Sequence, residues 1–122
     1  ALKAIDVVMN EGLADNVNRL SPRMEAGLGD IMARSNNIGE LRGVGYMCAL
    51  EACLDPATKT PFDGKLSVSE RIANTCTDNG LICRPLGQSI VLCPPFIMTE
   101  GQMDEMFEKL ETALKKVFAE VA

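Results

Sequence analysis

The sequence predicts one α+β domain, a small and mainly antiparallel sheet with its helices packed on one side. Three observations predict it. Four stretches carry apolar residues at spacings of three and four; four shorter runs are apolar or alternating and bounded by glycine or proline; and the two kinds occur in the order helix, helix, strand, strand, helix, strand, strand, helix. The 122 residues, 47% hydrophobic and 24% charged, suffice for one core of ordinary size, and no repeat or linker divides residues 1–122.

Leu2, Ile5, Val8 and Met9 mark a first helix that stops at Asn10-Glu11-Gly12. No Ser, Thr, Asp or Asn precedes it as a cap, and the chain opens on Ala1 rather than methionine, so the start reads as a cut through a longer polypeptide. Leu13, Val17, Leu20, Met24, Leu28, Ile31 and Met32 form a longer stripe. Pro22 lies inside it, and the helix either kinks there or restarts with Ser21 as its cap. From Ile38 the period changes, giving strands Ile38–Arg42 and Tyr46–Glu51 around a bend at Gly43-Val44-Gly45. Asp55-Pro56, Thr60-Pro61 and Asp63-Gly64 make residues 52–65 an exposed, mobile loop.

Ser67 and Glu70 have capping-box spacing, so a third helix follows that buries Val68, Ile72 and Cys76 and ends at Asn79-Gly80. Leu81–Arg84 and Ser89–Cys93 are predicted as strands around a tight Pro85–Gln88 connection, with Pro94-Pro95 ending the second. Thr99 and Gln102 form another capping box. Behind it Met103, Met106, Phe107, Leu110, Leu114, Val117, Phe118 and Val121 recur as a long amphipathic helix.

The absence of histidine excludes imidazole-based triads and histidine-ligated zinc. A net charge of -5, with no Trp and one Tyr, disfavours nucleic acid and anionic membranes as partners. The longest uncharged run, Pro85–Thr99, holds three prolines and is shorter than the ~20 apolar residues of a membrane span. Five cysteines (Cys48, Cys53, Cys76, Cys83, Cys93) include no C-x-x-C pair and lie in or beside apolar runs, as small buried hydrophobes do. The expected compartment is the reducing cytoplasm.

Few residues qualify for chemistry. The glycine-rich run Gly39–Gly45 leads into a strand, whereas a phosphate cradle leads into a helix. Lys3, Lys59, Lys65, Lys109, Lys115 and Lys116 sit on polar faces, at a helix start or in the loop, without the apolar setting that would lower an amine's pKa. Asp104, Glu105, Glu108 and Glu111 are a solvated helix face. No catalytic, cofactor-binding or metal-ligating residue is therefore expected in this chain. Arg84 differs: it ends a strand directly before the hairpin tip, where a planar cation can reach beyond its own domain and fork onto a carboxylate. The alternative is an arginine paired with a local acid or capping carbonyls. Arg42 has the same ambiguity with weaker placement.

Four segments taken together, ALKAIDVVMNEGL (1–13), GELRGVGYMCALE (39–51), GLICRPLG (80–87) and IVLCPPFIMT (90–99), resemble the C-terminal small domain of class III aminotransferases. The resemblance covers essentially the whole chain and is nearest to the omega-amino acid or amine:pyruvate transaminases. It implies the C-terminal domain of a fold-type I pyridoxal phosphate enzyme. In that family a flexible arginine stands a few residues before a G-x-x-I-V-x-x-P-P segment, and Arg84 before Gly87 matches it. Ornithine-type members carry an arginine where this sequence has Val91, which speaks against that specificity. The resemblance further implies transfer of an amino group from an amino donor to a keto acid such as pyruvate, with Arg84 holding the acceptor's carboxylate. It implies a homodimer, and pyridoxal 5'-phosphate bound by an upstream large domain that supplies the catalytic lysine, so this chain by itself is expected to be inactive. Two other readings need no large domain: a stand-alone α+β module that binds a small acid through Arg84, and a purely structural interaction domain.

Overall fold

The computed structural model describes residues 1–122. Its elements are α1 (Leu2–Asn10), α2 (Leu13–Arg34), β1 (Ile38–Val44), β2 (Met47–Ala52), α3 (Val68–Asp78), β3 (Arg84–Leu86), β4 (Ser89–Leu92) and α4 (Glu100–Val121), with one 3-10 turn at Gly64–Leu66. The strands form one sheet in the order β1-β2-β4-β3, antiparallel at every pairing. The predicted fold class and element order hold.

Strand alternation sends Leu50, Ile90 and Leu92 to one face, where they are buried. Against them pack Leu20, Met24, Leu28 and Ile31 of α2, Val68, Ile72 and Cys76 of α3, and Met103, Met106, Leu110, Leu114 and Val117 of α4. Each set repeats at three and four residues, so each helix turns one stripe to the same sheet face. The α1 helix buries none of its residues.

The α2 helix continues through Pro22, so it does not restart after Ser21. Ser21 is not a cap, since its hydroxyl donates back to the Val17 carbonyl at 2.5 Å. Proline inside a helix forfeits a hydrogen bond and costs about 3 kcal/mol. Here the buried stripe Leu20, Met24, Leu28 and Ile31 passes straight across it and offsets that cost. Arg19–Glu100, Arg23–Asp104 and Arg34–Glu111 ion pairs then tie α2 to α4 along their exposed edge.

The two caps differ. Thr99 accepts from the Gln102 N–H and Gln102 reciprocates, as its spacing predicts. Thr99→Ala is expected to destabilise by about 1 kcal/mol, read as faster amide exchange in the first turn of α4. The Ser67 box does not form. Ser67 closes the 3-10 turn by donating its N–H to Gly64, takes φ 46°, and makes no side-chain cap. Ser69, two residues later in the first turn of α3, instead donates to the Gly87 carbonyl at 2.6 Å and ties α3 to the β3–β4 turn.

The loop after β2 is exposed along most of its length but anchored. Phe62 is buried and stacks on Phe118 with ring centroids 6.0 Å apart. The Gln88 amide also donates to the Phe62 carbonyl at 3.2 Å.

Candidate functional site

The sheet face away from the helices is open: Val44, Met47 and Leu86 on it are 88%, 67% and 60% exposed. Register places Arg42, Ala49, Val91 and Arg84 in one row across all four strands. The neighbouring row is Glu40, Glu51, Ser89 and Leu86. Two arginines thus stand at opposite ends of a row whose middle is small and apolar.

Arg84 occupies a different place in its hairpin from the predicted one. It begins β3 rather than ending a strand, and the turn is Gly87-Gln88, with Gly87 at φ 60°, rather than Pro85–Gln88. The segment Leu81–Cys83 pairs with nothing in the sheet. The pairing with β4 ends at Arg84–Val91. Leu81 instead donates its N–H to the Cys76 carbonyl at 2.8 Å, and Ile82 is 87% exposed.

The two arginines have opposite surroundings. Arg42 donates to Glu51 at 2.5 Å and to Ser89 Oγ at 3.1 Å, and pairs with Glu40 at 3.2 Å. The hydrogen bond to Glu51 pushes its already high pKa further up. The local-acid reading is therefore the observed one for Arg42. Arg19, Arg23, Arg34 and Arg71 also have carboxylate partners. Arg84 alone of the six arginines takes part in no ion pair or side-chain hydrogen bond. Its cross-strand neighbour is Val91, and its fork of donors faces solvent.

The other candidates fall away. Lys59, Lys109 and Lys115 pair with Glu40, Glu105 and Glu111. Lys3, Lys65 and Lys116 are exposed. No group of three or more Cys, Asp or Glu is placed to hold a metal ion. A cleft of about 450 Å³ beside Pro22 and the β1–β2 bend gathers Asn18, Ser21 and Glu25 without a nucleophile–base pair. Cys48, Cys53 and Cys76 are buried as predicted, but Cys83 is half-buried and Cys93 exposed, because Cys93 lies past the end of β4 before two prolines. Burial raises the Cys48 and Cys53 thiols, whereas Cys76 and Cys83 share a hydrogen bond that raises Cys76 and lowers Cys83. The Arg42–Arg84 row is what sequence reasoning missed. Alternation within each strand was visible, but only the register brings positions 42, 49, 91 and 84 together.

Comparison with known proteins agrees with this architecture. A PMP-bound aminotransferase from Vibrio fluvialis superimposes with a TM-score of 0.95 at 77% identity, over 99% of this chain and 26% of that one. An omega-aminotransferase from Paracoccus denitrificans gives a TM-score of 0.96 at 79% identity, over 99% of this chain and 27% of that one. Among curated relatives, an uncharacterized aminotransferase of Sinorhizobium fredii is 34% identical over 96% of this chain and 26% of its own length. The mitochondrial gamma aminobutyrate transaminase 1 of Solanum lycopersicum is 31% identical over 95% and 22%. The chain thus spans about a quarter of the length of the relatives it matches. No helix is long and apolar enough to cross a membrane. The model of the family described as Aminotransferase class-III matches residues 1–114, and the chain belongs to that family.

Proposed function

We propose that this chain is the C-terminal small domain of a pyridoxal phosphate-dependent transaminase that moves an amino group from an amine or omega-amino acid to a keto acid such as pyruvate. Its part in that enzyme is to border the substrate entrance and to bind the acceptor's carboxylate through Arg84. The observation that carries this reading is the isolation of Arg84: every other arginine is paired, and this one offers a bidentate fork on an open face. A donor without a carboxylate leaves that fork idle.

The residues present do not fit pyridoxal phosphate. No lysine here is buried in an apolar setting, and the glycine-rich run Gly39–Gly45 enters β1 rather than a helix N-terminus. The cofactor and the catalytic lysine therefore belong to the three quarters of such an enzyme that lie outside the matched span, and the isolated chain is inactive. That large domain is the partner proposed for the exposed apolar residues Val44, Met47 and Leu86 of the sheet, and for Leu2, Ile5 and Met9 of α1. The assembly is a cytoplasmic homodimer in this reading, with no nucleic acid or membrane partner.

Arg84→Ala in the full-length enzyme is expected to lower kcat/KM for pyruvate about 30-fold, corresponding to about 2 kcal/mol of lost charge-assisted hydrogen bonding. For a carboxylate-free primary amine the loss is under twofold. Steady-state kinetics of the two half-reactions measures both, and equal losses would remove the proposed role.

A further inference from the structure

The acids that the strands place on the open face are Glu40 and Glu51. Glu51 lies two strands from Arg84 and one row along, about 12 Å between Cα atoms from strand spacing and rise. An extended glutamate and an extended arginine close that gap across Ser89 and Val91. In the structure Glu51 is held by Arg42, whose guanidinium reaches over β2 and also donates to Ser89 on β4. Glu40 has a second cation, Lys59, at 3.7 Å. Glu51 has Arg42 as its sole ion-pair partner. Losing Arg42 would therefore release Glu51 in particular, on the same face as a cation that has no partner.

We propose that Arg42 is a positioning residue for substrate selection: by occupying Glu51 in an ion pair, it keeps Arg84 free for a substrate carboxylate. The inference rests on the reading of Arg84 as the carboxylate site. Arg42 touches no substrate. Its effect passes through Glu51, an internal carboxylate that competes for the same fork of donors once released, so loss of Arg42 weakens acids selectively and leaves amines alone.

The test compares four full-length holoenzymes, native, Arg42→Met, Glu51→Gln and the double variant, using pyruvate and benzylamine as probes. Arg42→Met is expected to lower kcat/KM for pyruvate about tenfold and for benzylamine less than twofold. Glu51→Gln alone stays within twofold of native for both, and adding it to Arg42→Met restores pyruvate to within twofold. An unselective loss in Arg42→Met, or a selective loss that Glu51→Gln fails to repair, overturns the proposal. If Arg42→Met does not fold, Val91→Glu provides the second arm, because it puts a carboxylate directly opposite Arg84 with Arg42 intact. A selective pyruvate loss there supports capture of Arg84 by an acid on this face, and an unchanged pyruvate value overturns it. The Arg84→Ala enzyme separates the two levels. Equal losses in that variant remove the carboxylate site itself, whereas a selective loss there with an unselective Arg42→Met removes the positioning role alone.

Discussion

Leu110→Ala is expected to destabilise the domain by about 3–4 kcal/mol. Leu110 is fully buried at the midpoint of α4, the helix that spans the whole core, and it belongs to the same cluster as Leu50, Ile90 and Leu28. Truncation removes transfer free energy and leaves a cavity between elements that cannot easily close on it, because α4 is tethered by its capping box at one end and by Phe118 on Phe62 at the other. In the full-length enzyme the effect reads out as local opening. Amide hydrogens of α4 and β2 should exchange roughly 100-fold faster or more. A change below tenfold would show that the site collapses around the smaller residue.

Gly43→Ala is expected to cost about 3 kcal/mol through a different mechanism. A Cβ on Gly43 would sit 2.3 Å from the Met47 carbonyl oxygen and 2.7 Å from the Cys48 Cα, and the residue holds φ 152°. Both obstacles are backbone of the facing strand, so relief requires the β1–β2 hairpin to open rather than a side chain to rotate. Exchange should therefore quicken at β1 and β2 and leave α4 nearly unchanged. Gly101→Ala is the control, since its added methyl meets nothing within 4 Å and lies in a helix, where alanine is preferred. Equal effects from the two substitutions would discount the backbone clash.

Helices and strands with a clear period were legible in the sequence because burial imposes that period directly, as in Met103 to Phe118 of α4 and Cys48, Leu50 and Ala52 of β2. What was not legible depends on partners distant along the chain. Leu81–Cys83 is an apolar run of strand type, yet it pairs with nothing in the sheet, and Leu81 instead gives its N–H to the Cys76 carbonyl at the end of α3. Phe62 lies between Pro61 and Asp63 in a stretch with no period, and its burial is set by Phe118, 56 positions away. Ser67 has the right residue three places on, but the preceding 3-10 turn holds its backbone in the left-handed region. Arg84 was legible as a candidate by its type and its place near a turn. Its lack of any acid partner was not, because that depends on where five other arginines and their carboxylates end up.

The position of Pro85 in β3 has one more consequence. Pairs alternate outward from the Gly87-Gln88 turn between hydrogen-bonded and non-hydrogen-bonded, so Pro85, opposite Ile90, falls on a non-bonded pair and its nitrogen points away from β4. The missing N–H therefore costs the sheet nothing, and it lies where a fifth strand would need a donor. The edge beside Arg84 is closed to growth: neither a second copy nor a misfolded neighbour finds a regular ladder to extend there. One proline thereby protects the β3 edge of the sheet from edge-to-edge aggregation.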